Sequence, residues 1–138
     1  MGITSNKITS EEERKEAVRM FSTLGKVVEV GEELMDAITA LGGSGPAFLL
    51  SFLEGMIDGG VKVGIPRDKS RALSLQVLKG TLKMLEEEGI HPTLLKEMVT
   101  SPGGTTMAGL LSLEEDAFKG AVMKAIEKAT KRAKELSL

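Results

Sequence analysis

The chain has 138 residues, 41% of them hydrophobic, and 18 Lys and Arg against 20 Asp and Glu, for a formal net charge of −2. That suffices for one packed domain, and a balanced charge with no long single-sign run excludes a dedicated binder of nucleic acid or of an anionic membrane surface. No cysteine means no disulfide or thiolate metal site, and the single histidine, His91, excludes a multi-histidine site, so no metal is expected.

Ile3 to Lys7 has strand character, and Thr9 or Ser10 caps a helix expected from Glu11 through Leu24, ended by Gly25. Ala17, Met20, Phe21 and Leu24 form its apolar stripe. A β-branched run follows at Lys26 to Val30, so the opening reads β-α-β. Such a unit needs neighbouring strands, yet everything after Gly31 carries helical periodicity, which makes the opening look like the edge of a larger sheet.

A short helix is expected from Leu34 to Leu41, halted by Gly42-Gly43-Ser44-Gly45-Pro46, where Ser44 can cap and Pro46 suits the first turn of a helix reaching Val63. Gly64-Ile65-Pro66 breaks the pattern before a helix from Arg67 to near Gly89. A shorter helix follows His91-Pro92, with His91 itself expected in an exposed loop. After the break at Ser101 to Thr106, a helix through Leu110 to Leu113 leads to a final amphipathic one from Glu115 to about Leu136, with Phe118, Val122, Ala125, Ile126 and Ala129 on its apolar face. Gly55, Gly59 and Gly60 along one helix suggest close backbone approach, and Met, Leu and Ala are expected to supply most of the core. The longest strongly apolar stretch, Ala47 to Leu53, is too short to cross a bilayer, and the charged amino terminus lacks a secretory pattern, so the expectation is a soluble, cytoplasmic protein without a membrane partner.

Val99-Thr100-Ser101-Pro102-Gly103-Gly104-Thr105-Thr106 is the most informative segment. Hydroxyls and glycines immediately before a helix suit a small anion, because unpaired amides at a helix start and the helix dipole attract a carboxylate or phosphate. A turn with threonine caps accounts for the same residues, and composition leaves both readings open. Gly42 to Pro46 could contact a ligand or let helices cross closely, and it lacks the preceding strand and the spacing of a dinucleotide fingerprint.

Together, Asp36-Ala37-Ile38-Thr39-Ala40-Leu41-Gly42-Gly43-Ser44-Gly45-Pro46-Ala47, Gly59-Gly60-Val61-Lys62-Val63-Gly64-Ile65-Pro66 and the run from His91-Pro92 to Thr106 resemble the carboxyl-terminal domain of pyrroline-5-carboxylate reductase. The resemblance covers roughly residues 32 to 136 and ends in Ala129-Thr130-Lys131-Arg132. It departs at Gly42, where the family pattern usually has serine.

The resemblance implies a mainly α fold: a helical bundle forming an interlocked, domain-swapped homodimer, with higher assemblies of dimers open. Residues 1–31 would be the end of the preceding nucleotide-binding domain, and 32–138 the dimerisation and substrate-binding domain. The implied activity is reduction of 1-pyrroline-5-carboxylate to L-proline, in proline biosynthesis, with hydride from NADPH or NADH. Ser101, Gly103, Gly104, Thr105 and Thr106 would bind substrate, with Thr106 catalytic through the ring nitrogen. Gly43, Ser44, Gly45 and Pro46 are candidates for cofactor contact. Without the glycine-rich cofactor loop, the chain alone is expected to bind no cofactor tightly and to be inactive. The alternative is a stand-alone dimerising or proline-like-ligand-binding module without redox activity.

Overall fold

The computed structural model describes Met1 to Ser137. Two compact units emerge, one from Met1–Phe48 with the chain from Val122 onward, the other from Leu49–Ala121.

In the first unit, β1 (Gly2–Ile3), α1 (Glu11–Ser22) and β2 (Val28–Glu29) form the expected β-α-β, the strands parallel with Gly2 opposite Val28. The first strand stops short of Lys7 because the Asn6 carboxamide oxygen accepts from the amides of Ile8 and Thr9, both at 3.0 Å, and turns the chain. Ser10 then makes a capping box: its hydroxyl accepts from the Glu13 amide at 3.2 Å, and the Glu13 carboxylate accepts from the Ser10 amide at 2.8 Å. Arg14 pairs with Glu11 on its own helix and with Glu29 on β2, tying the helix to the sheet. Of the expected stripe, Ala17 and Phe21 are half-buried while Met20 and Leu24 stand exposed, since the two short strands cover only part of the helix face.

A 3-10 turn (Glu32–Leu34) leads into α2 (Met35–Ile38), a π turn (Thr39–Gly43) and α3 (Gly45–Lys62). The glycine cluster therefore does not halt the helix. It widens one turn, with the Ser44 amide donating to the Thr39 carbonyl at 3.1 Å, five residues back. Pro46 falls in the first turn of α3, as its missing amide proton permits. Because the path continues through the glycines, Glu32–Lys62 forms a 31-residue helical run with a mean hydropathy of 1.2 over its most apolar window. By length and composition alone such a run is able to cross a bilayer, so the argument from Ala47 to Leu53 does not hold.

The second unit holds the rest of α3, then α4 (Arg67–Glu88), α5 (Pro92–Met98), α6 (Thr105–Glu115) and the start of α7 (Phe118–Leu136). Gly64, at φ +99°, turns the chain between α3 and α4, and Gly89, left-handed at φ +60°, ends α4. Between these helices, Arg67 pairs with Asp58 at 2.8 Å and the Ser70 hydroxyl donates to the Ile57 carbonyl at 2.8 Å. Gly60 faces Ser70 closely, whereas Gly55 and Gly59 face open space, so one of the expected glycine contacts forms within this chain. The final helix begins at Phe118 and not at Glu115, because Ala117 takes a left-handed conformation (φ 51°) that separates α6 from α7. Phe118 packs on Phe52 with ring centroids 5.7 Å apart.

The expected Met, Leu and Ala core is nearly missing. Among the described residues the buried apolar ones are Ala40 and Leu95, joined by the polar Ser70 and Ser74. On α4, Ser70 and Ser74 turn inward while Leu73 and Val77, three residues further along each time, are more than half exposed. Leu49 and Leu50 on α3 and Leu111 on α6 are also exposed, so a single chain leaves its apolar faces bare.

Candidate functional site

The Ser101 to Thr106 segment forms a turn at the start of α6. Gly103 sits at φ +65°, a conformation that disfavours any side chain, and the Gly104 amide donates to the Ser101 carbonyl at 3.1 Å. A side chain at Gly104 would collide with the Ser101 hydroxyl and come within 3.2 Å of the Ser101 carbonyl oxygen, so Ser101 lies directly over the helix start. Gly104 is the N-cap residue, in extended conformation and without a side chain to cap the helix. The first-turn amides of α6 therefore lack a side-chain acceptor, and the hydroxyls of Ser101, Thr105 and Thr106 hold no hydrogen bond among the described residues.

Such a site suits a small carboxylate. The helix start offers donors and the positive end of the dipole, and no carboxylate side chain competes for them there. Ser101 and Thr105 are exposed, while Gly104 and Thr106 are half-buried, so a ligand reaching the amides passes the hydroxyls first. All five predicted substrate residues, Ser101, Gly103, Gly104, Thr105 and Thr106, thus lie on one turn.

Gly43, Ser44, Gly45 and Pro46 lie where the π turn meets α3. Nothing approaches within 4 Å of where a side chain on Gly42 or Gly45 would be, so the backbone is open to a flat ring there. That leaves room for a ligand beside these glycines. It does not fit a pyrophosphate cradle, since no strand precedes the glycines and the chain stays helical through them.

Two residues take roles that differ from or go beyond the sequence reading. His91 lies in an exposed loop, as expected, and also caps α5: its Nδ1 accepts from the Thr93 amide at 3.3 Å, with Pro92 in the first turn. Thr100, unassigned from sequence, donates its hydroxyl to the Lys96 carbonyl at 2.6 Å. Elsewhere, a hollow of about 400 Å³ lies beside Thr4, Arg14, Phe21 and Glu29. Its Arg14 is held charged by Glu11 and Glu29, and Glu11 is held below the usual carboxylate range by Arg14, so the cluster is a closed structural network. No group of three or more metal-ligating side chains occurs among the described residues.

Residues 32–136 match the family described as pyrroline-5-carboxylate reductase dimerisation. Among curated relatives, the chain is 47% identical over 135 residues to pyrroline-5-carboxylate reductase of Methanosarcina acetivorans, covering 98% of this chain and 50% of the relative. It is 43% identical to the enzyme of that name from Synechocystis sp., covering 97% and 50%. Among solved structures, pyrroline carboxylate reductase of Plasmodium falciparum with NADP bound superposes with a TM-score of 0.90 at 37% identity, over 99% of this chain and 56% of that one. A pyrroline-5-carboxylate reductase from Coxiella burnetii gives 0.93 at 30% identity, over 98% and 50%. The chain spans about half the length of the relatives it matches.

Proposed function

The chain belongs to the pyrroline-5-carboxylate reductase dimerisation family, and on that premise we propose that it forms the carboxyl-terminal, substrate-binding half of a reductase converting 1-pyrroline-5-carboxylate to L-proline. The observation that carries the reading is the α6 start: donors without side-chain acceptors and three free hydroxyls on one turn, within the matched residues. In this reading the substrate carboxylate lies on the Ser101 hydroxyl and the Gly104 and Thr105 amides, with Gly103 setting the turn. Thr106 directs its hydroxyl to the ring nitrogen. That nitrogen becomes basic as hydride reaches the imine carbon and needs a proton, which a placed hydroxyl orients or relays.

NADPH or NADH supplies the hydride when bound. The open space beside Gly45 supports contact with it along Gly43, Ser44, Gly45 and Pro46, and the phosphate-binding elements belong to a nucleotide-binding domain of which residues 1–31 would be the end. Residues 32–138 would be the dimerisation and substrate-binding domain, a division supported by the family match beginning at residue 32. The partner is a second copy interlocked with the first, whose helices cover Leu49, Leu50, Leu73 and Val77; this accounts for bare apolar faces and for the apolar run of Glu32–Lys62 in a soluble, cytoplasmic protein.

The test is titration of L-proline into the isotope-labelled chain while following the amides of Ser101 to Thr106, alongside NADPH oxidation with pyrroline-5-carboxylate. Shifts confined to that turn support the reading. A turn indifferent to proline overturns the carboxylate site, and turnover by the chain alone would show a cofactor site not assigned here.

A further inference from the structure

We infer that Thr100 is the positioning residue of the substrate turn, an inference that rests on the carboxylate reading of Ser101 to Thr106. Two bonds fasten Thr100 to the end of α5: its hydroxyl donates to the Lys96 carbonyl at 2.6 Å and its amide to the Glu97 carbonyl at 3.0 Å. Both acceptors are carbonyls in the last turn of α5, and a Ser or Thr hydroxyl reaching back four residues ends or bends a helix. Behind them, Val99 donates to the Leu95 carbonyl at 3.3 Å, and Leu95 is one of the two buried apolar residues. The path from this buried anchor to Ser101 therefore runs through Thr100.

At its far end the turn is held by the Ser101–Gly104 hydrogen bond and by α6. Ser101 is thus clamped from both sides, and Thr100 is the clamp on the α5 side. The hydroxyl bond lies near solvent, where water can replace it, so its loss should cost little global stability. Its effect on placement should be larger, because a displacement of roughly 1 Å in a binding turn can cost about a hundredfold in rate.

Thr100→Val removes the hydroxyl at constant shape, and Thr100→Ser restores it. The measurement is amide hydrogen exchange at Thr100 and Gly104 in the intact chain, with L-proline affinity read from shifts of the turn amides. We expect exchange at both amides to rise about tenfold in Thr100→Val, the size expected on losing one hydrogen bond. Proline should bind correspondingly more weakly, Thr100→Ser should return both values to those of the parent, and the melting temperature should move little. Unchanged exchange at Gly104 in Thr100→Val, or no recovery in Thr100→Ser, overturns the inference. If the parent chain shows no response to proline, the substrate reading fails while the exchange data still decide whether Thr100 holds the turn.

Discussion

The Ser70 side chain fills the space that a side chain on Gly60 would need: a Cβ built at Gly60 collides with the Ser70 hydroxyl and lies 3.2 Å from its Cβ. The same hydroxyl donates to the Ile57 carbonyl at 2.8 Å, so α3 and α4 meet through a glycine and a buried serine instead of through interlocked apolar side chains. Gly60→Ala should therefore destabilise the protein by about 1–3 kcal/mol through overpacking, although alanine favours a helix by roughly 1 kcal/mol. Chemical denaturation checks this, and Ser70→Gly in the same chain should recover part of the loss.

The capping box at α1 makes its stability depend on pH. Hydrogen bonds from the Ser10 amide and then its hydroxyl environment hold the Glu13 carboxyl below the usual value of 4.5, so the contribution is present above that value and is lost as pH falls through the lower folded value. Glu11 acts in the same direction through Arg14. Amides of α1 should exchange faster on acidification, after correction for intrinsic rates. Ser10→Ala should weaken α1 by about 1 kcal/mol and flatten the part of this dependence due to Glu13.

Gly104→Ala puts a methyl where the Ser101 hydroxyl sits and should displace that hydroxyl from the helix start. Proline-induced shifts in the turn should disappear while the amides around Gly42 keep their positions. A turn that still responds to proline would show that Ser101 is not part of the carboxylate site.

Thr106→Ala in the assembled, cofactor-loaded reductase should lower turnover by about a hundredfold, the usual size of a lost proton-transfer contribution. Steady-state assays check it. Unchanged kcat and KM would remove Thr106 from the chemistry.

Leu73 and Val77 flank the buried Ser70 and Ser74 along α4 and are more than half exposed in the single chain. With this face against a second copy, Leu73→Lys buries a charge in the interface and should shift sedimentation from dimer to monomer or to nonspecific aggregate. A variant that sediments as the parent does would place the interface elsewhere.

Much of the chain was legible because local signals do not need distant partners. Thr9 and Ser10 announce a cap at the start of α1, the structure choosing Ser10, and Gly64 and Gly89 mark the ends of α3 and α4 by their freedom to take positive φ. The Ser101 to Thr106 turn is of the same kind, since Gly103, Gly104 and three hydroxyls are neighbours in sequence before they are neighbours in space. The π turn at Thr39–Gly43 was not legible: glycines read as breakers, and whether a turn widens or ends depends on the packing around Ala40, which is 1% exposed. Ala117 gave no warning either, because a left-handed alanine is disfavoured locally and is adopted here where α6 gives way to α7.

By itself, then, the sequence determined the helical order, the caps and the chemistry gathered at the start of α6, all set by interactions within a few residues. Tertiary structure alone decided which glycine makes contact and that Leu73 and Val77 stay bare on one chain. Those outcomes depend on which surfaces meet, and apolar periodicity records that a face seeks cover without recording what covers it.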